Sequence, residues 1–185
     1  MGEHVSGNWP RIVSIKRNVI SPWLEVLARE VQFSPQAPAE VYYAISQPSY
    51  LTALAVTSEN EFVLVRQYRP AIECLSLELP AGLLEQNEEP APAMVRELLE
   101  ETGYSTRSIE LIGKTATCSS RISNVMYSFF IHAGERAPDF VEEPGVSVVT
   151  VTPGQLRRLI LSGEFNEQTH LGALSLAAYK GLIEI

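Results

Sequence analysis

The chain of 185 residues lacks the features that mark several large classes of protein. Its two cysteines, Cys74 and Cys118, are too few for a disulfide framework in a chain of this size, so reduced thiols are expected. No apolar run approaches the ~20 residues that a membrane-spanning helix needs. Internal repeats and low-complexity segments are absent as well. A disulfide-rich scaffold, a helical membrane protein and a repeat array are therefore excluded.

Charge is also scarce, positive charge most of all. Charged residues make up 19% of the chain, and 14 Lys and Arg stand against 22 Asp and Glu, for a formal net charge of −8. This balance argues against a general nucleic-acid binder, because phosphate backbones demand a basic surface. The negative net charge does not exclude a small anionic ligand, since metal ions and a few arginines can make the electrostatic potential positive locally. Hydrophobic residues, at 45%, suffice for a packed core.

The sequence also lacks a recognisable targeting signal and a metal-binding spacing of histidines. The start, MGEHVSGNWPR, lacks the basic-then-apolar pattern of a secretory signal and most of a myristoylation signal, so a cytoplasmic location without membrane contact is expected. His4, His132 and His170 share no metal-ligand spacing, and His132 is interpreted as an ordinary strand residue. None of the three is a good general base on sequence grounds.

The most informative segment is Gly82–Tyr104, GLLEQNEEPAPAMVRELLEETGY. Its fixed positions are Gly, five residues, Glu, seven residues, Arg-Glu-Leu, one residue, Glu-Glu, one residue, Gly-Tyr. The pattern predicts a short helix over residues 89–102, because Pro90 and Pro92 fall in the first turn and Gly103 follows the last. The apolar stripe that should face the core consists of Val95, Leu98, Leu99 and Thr102.

Three glutamates of this helix, Glu97, Glu100 and Glu101, should cluster on the side opposite to the stripe. Such a cluster is either a solvated acidic face or a site for a hard cation. Arg96 can orient a carboxylate through a bidentate contact, and Gly82 lets backbone carbonyls come close. Carboxylate and carbonyl oxygens without a neighbouring thiol or imidazole suit Mg²⁺ or Mn²⁺. Such an ion would also supply a Lewis acid for attack on phosphorus.

The segment resembles the Nudix box at every defining position. The preceding Glu78-Leu79-Pro80-Ala81-Gly82 is similar to the ADP-ribose pyrophosphatase branch of that family, and the resemblance extends from Trp23 to the C-terminal helix. It implies a Mg²⁺-dependent (or Mn²⁺-dependent) enzyme in which water cleaves the diphosphate of a small nucleoside diphosphate derivative. ADP-ribose or a nucleotide sugar would give a nucleoside monophosphate and a sugar phosphate.

The resemblance also implies the ligands of the metal. Glu97 and Glu101 would bind it directly, and the backbone carbonyl of Ala81 would complete the coordination. Glu100 would act beside them as a further ligand or as a partner of the ligands.

A second group of residues is implied to support the chemistry. Arg96 would hold the metal-binding glutamates in place, and Glu88 would brace the turn between loop and helix. The base that activates water commonly comes, in this branch, from a glutamate in a flexible loop after the box. The loop 139–146 offers Glu143 first and Glu142 second, and for either residue a solvated loop charge is the alternative.

Substrate contacts are predicted on a strand that leads toward the glycine loop. Strand alternation sends Arg66 and Arg69 to opposite sides, so that one can face the site while the other serves a structural pair. The family pattern favours Arg69 as the phosphate-facing residue, with a surface ion pair as the alternative. Glu78, in the lead-in to the box, is also assigned to substrate binding.

Two further substrate contacts are predicted outside the box. Trp23 would stack on the nucleobase or pack in a subunit interface. The branch usually carries a proline where this chain has residues 118–124, which contain none. This departure puts the preference for ADP-ribose in doubt, and Ser120 and Arg121 in that segment could contact a different sugar or phosphate.

Periodicity and turn residues predict the order of elements. Strands are predicted at 11–18, 22–32, 40–46, 50–57, 62–68, 108–117, 125–133 and 146–152. Helices are predicted at 89–102, 153–162 and 167–183. The strands at 50–57 and 62–68 should form a hairpin around residues 58–60 and lie centrally, since both are apolar on two faces.

This order predicts an α/β protein, a Nudix-type α/β/α sandwich with a mixed sheet and an extra N-terminal antiparallel strand layer. The division places the strand layer at residues 1–46 and the hydrolase domain at residues 47–185. The resemblance implies that the N-terminal layer joins two subunits, so a homodimer is expected.

Two alternative functions stay open. A nucleotide-sugar sensor would bind without hydrolysis, but such relatives usually lose a box glutamate, and this chain keeps all of them. A nucleoside triphosphate pyrophosphatase is disfavoured by the Glu-Leu-Pro-Ala-Gly lead-in and by the long N-terminal strands.

Overall fold

A computed structural model describes residues 9–184, and His4 lies outside them. The strands are β1 (Arg11–Ser21), β2 (Leu24–Gln32), β3 (Glu40–Ser46), β4 (Tyr50–Val56), β5 (Phe62–Arg69), β6 (Cys74–Glu78), β7 (Ala81–Leu83), β8 (Tyr104–Ala116), β9 (Val125–Arg136) and β10 (Val146–Val151). The helices are α1 (Pro90–Thr102), α2 (Pro153–Ser162) and α3 (Gln168–Tyr179). No helix within residues 9–184 is long and apolar enough to cross a membrane.

The chain divides into two compact units. The first unit contains the N-terminal residues up to 48 together with residues 116–124. Its sheet has the order β1-β2-β3, and both pairs of strands are antiparallel, as predicted. The segment 116–124 is attached to β3, because the Ile45 N–H donates to the Arg121 carbonyl (2.7 Å) and the Ser123 N–H donates to the Ile45 carbonyl (3.0 Å).

The second unit contains residues 49–115 and 125–185 and is built on a mixed sheet. The strand order is β10-β5-β4-β9-β8, with β6 paired to β5 and β7 paired to β4. β4 runs parallel to β9 and antiparallel to β5, so the predicted hairpin is central. Asn60 in its turn has a positive φ of 60°, which asparagine tolerates better than most residues.

Alternate side chains of β4 and β5 cover the two faces of this sheet. On one face Leu54 and Leu64 pack with Leu156 of α2 and Leu174 of α3. On the other face Ala53 and Val63 pack with α1, through Ala93, Met94 and Leu98. Helices therefore cover both faces, and the predicted α/β/α sandwich is confirmed.

The buried stripe predicted for α1 is wrong at Leu99 and holds only in part at Val95, which is half-buried. Ala93, Met94, Leu98 and Thr102 are buried, whereas Leu99 is 48% exposed. The small Ala93 and the adjacent Met94 face the sheet, so the buried stripe is rotated about the helix axis and Leu99 turns outward. Gly103 ends the helix with φ 73°, as predicted.

Other boundaries also differ. α3 ends at Tyr179 instead of 183, because the chain turns at Gly181, which has φ 71°. β8 begins at Tyr104, and the short strands β6 and β7 were not predicted. β6 and β7 are only five and three residues long, too short for a periodic signal.

Candidate active site

The loop between β6 and β7 brings a strand backbone against α1. The Pro80 carbonyl accepts from the Ala53 N–H (3.0 Å) and from the Thr52 hydroxyl (3.2 Å), which ties the loop to β4. On the other side the Ala81 N–H donates to the Glu101 carboxylate at 2.9 Å. The loop is thus held by the sheet and joined to the glutamates of the helix.

Gly82 allows Glu97 to lie directly on this backbone. A Cβ placed at Gly82 would come within 2.1 Å of Glu97 Cδ and 2.4 Å of Oε1, closer than real atoms approach. The Glu97 side chain is only 16% exposed. Its pKa is raised by burial, against which the neighbouring Arg96 acts.

Gly82→Ala should weaken the binding of Mn²⁺ by about tenfold or more, because the new methyl group must push the Glu97 carboxylate aside. The melting temperature should change little, since the obstructing atoms are the end of a flexible side chain. Gly172→Ala is the control, because its methyl group would meet nothing within 4 Å. A Mn²⁺ titration followed by electron paramagnetic resonance measures the affinity, and equal affinity in both variants would contradict the contact.

Glu101 is the most strongly perturbed carboxyl of the site. Its pKa is raised to about 7, mainly by burial and also by the negative charges of Glu97 and Glu78. The Ala81 N–H and the charge of Arg69 act in the opposite direction without cancelling the rise. Burial therefore disfavours the charged form of both Glu97 and Glu101 despite the nearby arginines, and a bound cation would favour it.

Arg96 connects three carboxylates. Its Nε and Nη2 donate to Glu88 at 3.0 and 3.1 Å, its Nη1 donates to Glu100 at 2.9 Å, and its Nη2 lies 3.0 Å from Glu97 Oε1. The hydrogen bonds to Glu88 are the largest cause of a raised pKa for Arg96. The bidentate contact predicted for Arg96 therefore exists, and its partner is Glu88.

The three glutamates of α1 do not stay together as one acidic face. Glu100 is 58% exposed and turned to Arg96, while Glu97 and Glu101 meet the backbone of residues 81–82. Across residues 9–184, no group of three or more His, Cys, Asp or Glu side chains is arranged so that it could hold a metal ion. The two remaining carboxylates, with backbone beside them, are still a donor set suited to a hard divalent cation.

The NUDIX domain family model matches residues 48–170 of the chain. The chain belongs to the NUDIX domain family. Nudix hydrolases generally use divalent metal ions, which agrees with the carboxylate pair on α1. The family prediction made from Gly82–Tyr104 is confirmed.

The chain is also similar to individual proteins in sequence and in structure. The chain is 31% identical over 133 residues to an ADP-ribose pyrophosphatase of Bacillus subtilis (strain 168), covering 70% of this chain and 72% of that one. It is 32% identical over 111 residues to a methanol dehydrogenase activator of Bacillus methanolicus, covering 58% of this chain and 60% of that one. A crystal structure of an ADP compounds hydrolase, 22% identical, superposes with a TM-score of 0.78 over 96% of this chain and 97% of that one, which supports the fold.

Arg69 and Glu78, both predicted to bind substrate, form a bidentate pair with each other. Arg69 Nε donates to Glu78 Oε1 at 2.8 Å, and Nη2 donates to Oε2 at 2.5 Å. Burial acts to raise the pKa of Glu78, but the hydrogen bonds and charge of Arg69 outweigh it, and the pKa is lowered. The Arg69 side chain is still 43% exposed, so the pair leaves part of the guanidinium accessible.

His170 is the last residue of the NUDIX match, and the sequence alone assigned it no role. It is buried on α3, and its Nδ1 accepts from the Leu79 N–H at 3.2 Å. Because Nδ1 accepts this hydrogen bond, the ring proton is placed on Nε2, and burial, which lowers the pKa of His170, favours the neutral ring. Glu167 caps the helix by accepting from the His170 N–H at 2.9 Å. The signal that the sequence offered was a histidine directly before the mostly apolar run LGALSLAA of the same helix.

The two loop glutamates differ in their contacts. Glu142 Oε1 accepts from the Val148 N–H and from Arg136 Nη2, both at 3.1 Å, and the Val148 bond is the main cause of its lowered pKa. Glu143 is exposed, and its carboxylate has no hydrogen-bond or ion-pair partner within residues 9–184. Of the two, the carboxylate of Glu143 is the one not engaged by other side chains.

Trp23 and Arg121 both belong to the first unit. Trp23 is 59% exposed in the turn between β1 and β2. Arg121 is exposed, and its N–H donates to the Cys118 carbonyl at 3.0 Å. Their predicted contacts with substrate stay predictions.

Proposed function

We propose that this Nudix protein is a Mg²⁺-dependent or Mn²⁺-dependent hydrolase that cleaves the diphosphate of ADP-ribose or a nucleotide sugar. The products would be a nucleoside monophosphate and a sugar phosphate. The observation that carries the proposal is the pair Glu97 and Glu101, held against the Ala81–Gly82 backbone with raised pKa values. The relative named ADP-ribose pyrophosphatase supports the choice of substrate class.

Glu97, Glu101 and the Ala81 carbonyl would hold the ion, with Glu100 beside them. A bound divalent cation neutralises diphosphate charge and acts as a Lewis acid at phosphorus. The protein's own contribution is to keep the ligands in place. Arg96 restrains Glu97 and Glu100 at about 3 Å, and the loop that carries Ala81 is tied to the sheet.

Proton transfer and substrate contacts complete the proposal. Glu143, whose carboxylate is exposed, would accept a proton from the attacking water, with Glu142 as the second candidate. The water oxygen would bond to one phosphorus while the bond from that phosphorus to the bridging oxygen breaks, and the bridging oxygen would leave with the other phosphate. Arg69, with Glu78 fixing its orientation, would contact the diphosphate. Trp23 and Arg121 are the proposed contacts of base and sugar.

A substrate panel tests the reaction. We expect monophosphate release from at least one of ADP-ribose, UDP-glucose and GDP-mannose with Mg²⁺, and none with a chelator. ATP is the comparison, and turnover of ATP alone would favour a triphosphate pyrophosphatase. Tight binding of a diphosphate sugar without any release would instead favour the sensor. Either outcome contradicts the proposed reaction.

We further propose a homodimer joined through the N-terminal layer, residues 1–46, with residues 47–185 as the hydrolase domain. The support is the number of large apolar side chains exposed on the first sheet, a density uncommon on a monomer surface. They include Ile12, Val13, Ile15, Val19, Ile20, Val41, Tyr42 and Tyr43. A cytoplasmic location stays a prediction.

Val19→Lys should convert a dimer into a monomer, because Val19 is 65% exposed on β1 and a lysine there would place charge in the proposed interface. Leu161→Lys on α2 is the matched control, because Leu161 is an exposed apolar residue (76%) outside the N-terminal layer. Light scattering coupled to size-exclusion chromatography gives the mass. A monomeric mass for the unmodified chain would overturn the proposal.

A further inference from the structure

An open groove of about 410 Å³ lies in the second unit, along α2, β5, β6 and β10. It lies on the face of the sheet that α2 and α3 cover. Strand alternation puts Arg66 on the same face as Phe62 and Leu64, which pack with those helices. α1, with its glutamates, packs on the opposite face through Val63. The groove is therefore separate from the proposed active site.

Two guanidinium groups, those of Arg66 and Arg158, line the groove. Within residues 9–184 neither side chain makes an ion pair or a hydrogen bond, whereas Arg69 and Arg96 of the same unit each contact carboxylates. Two like charges in one groove repel each other, so an anion placed between them would be favoured.

The position of Arg158 adds to the positive field. Its Nη1 lies 3.9 Å from the place of a Cβ on Gly154, so the side chain runs back over the first turn of α2. This first turn is capped, because the Thr152 hydroxyl accepts from the Gln155 N–H at 3.3 Å, so the positive charge there is that of the Arg158 guanidinium. Glu164 is the carboxylate that lines the groove, and it already accepts from the Ser162 hydroxyl at 3.0 Å.

The rest of the groove wall contains two polar side chains, Gln155 and Ser162, and four apolar ones. The apolar side chains are those of Leu77, Val149, Val151 and Leu159. A volume of this size falls in the range of small-molecule sites, in which a few polar groups orient a ligand over an apolar surface. A ligand that satisfies both parts must carry a compact anionic group and an apolar body.

We propose that this groove binds a small organic phosphate or carboxylate, with its anionic group between Arg66 and Arg158 and its ring against Val149 and Leu159. Charge-assisted hydrogen bonds to the two arginines would supply the specificity. The site does not depend on metal and does not depend on the proposed reaction.

Phenyl phosphate and benzoate are the probes, added to metal-free protein whose valine and leucine methyl groups are isotope-labelled for NMR. We expect saturable chemical-shift changes of the Val149 and Leu159 methyl groups with at least one probe. Phenol and benzyl alcohol, which lack the anionic groups of phenyl phosphate and benzoate, should bind more weakly. Inorganic phosphate, which lacks the ring, should also bind more weakly. Preference for phenyl phosphate or for benzoate distinguishes the two anion classes.

Substitutions decide whether the arginines carry the binding. Arg66→Gln and Arg158→Gln should each weaken it by about tenfold, the loss expected for one charge-assisted hydrogen bond. Arg157→Gln, a neighbour on α2 that does not line the groove, should leave it unchanged. The proposal is overturned if no saturable shift occurs, or if all three variants bind the probe as the unmodified protein does.

Discussion

Glu101→Gln should reduce kcat by about a hundredfold to a thousandfold, the range seen when one charge-stabilising group of an active site is lost. Glutamine has almost the same shape and can still accept from the Ala81 N–H, so the loop should keep its position. What disappears is the negative charge that a divalent cation needs. Steady-state kinetics on the preferred diphosphate sugar gives the effect.

The metal-free stability of the variant serves as a control for folding. Because burial raises the pKa of Glu101, its charged form is disfavoured in the folded protein, and Glu101→Gln should not lower the free energy of unfolding at neutral pH. A variant that stays folded and keeps nearly normal turnover would rule out Glu101 as a metal ligand.

The same carboxyl predicts a pH dependence. The pKa of Glu101 is about 7, so a cation that binds below this pH must displace a proton. The apparent affinity for Mn²⁺ should therefore fall by about tenfold per pH unit below 7 and level off above it. Glu101→Gln should lose this dependence, and an identical pH profile in both proteins would contradict the assignment.

Stability should show the opposite trend in the absence of metal. A carboxyl whose pKa is raised in the folded state contributes stability that is complete below the ordinary pKa of 4.5 and is lost as pH rises through about 7. The difference in free energy of unfolding between the unmodified protein and Glu101→Gln isolates this contribution. Urea denaturation of metal-free protein across that range measures it.

His170→Leu should lower the free energy of unfolding by about 1–3 kcal/mol, because it leaves the buried Leu79 N–H without an acceptor. Mn²⁺ binding should weaken as well, since Leu79 lies two residues before Ala81, whose N–H holds Glu101. Urea denaturation and Mn²⁺ titration measure the two effects.

His170→Asn is the matched variant for this prediction. Its amide oxygen can accept the hydrogen bond, so it should recover part of both losses. Equal losses in the leucine and asparagine variants would show that the hydrogen bond from the Leu79 N–H does not account for them.

Local signals explain how much of the fold could be predicted. The bounds of α1 follow from Pro90 and Gly103, which act within one turn of the helix. The hairpin of β4 and β5 follows from two apolar runs around a polar turn. The short strands β6 and β7 were not predicted, because they are stabilised by pairing with the longer strands β5 and β4 and not by a local sequence pattern.

In the candidate site, too, some features could be predicted from local sequence and others depend on tertiary packing. Its residue types and spacing were enough to identify the family and the carboxylates of α1. Adjacent residues nevertheless have different environments, since Glu101 meets the Ala81 N–H while Glu100 turns outward to Arg96. The rotation of α1 against the sheet decides between them, and no spacing rule contains that rotation.

The sequence by itself determined the Nudix family, the order of the elements and the excess of negative charge, because these depend on residue identity and short-range spacing. The tertiary structure alone decided which charges are neutralised and which are not. Arg69 pairs with Glu78 through strand pairing, and His170 reaches Leu79 across 91 positions of the chain. Such contacts depend on burial and on the packing of distant segments, which change pKa values by removing groups from water.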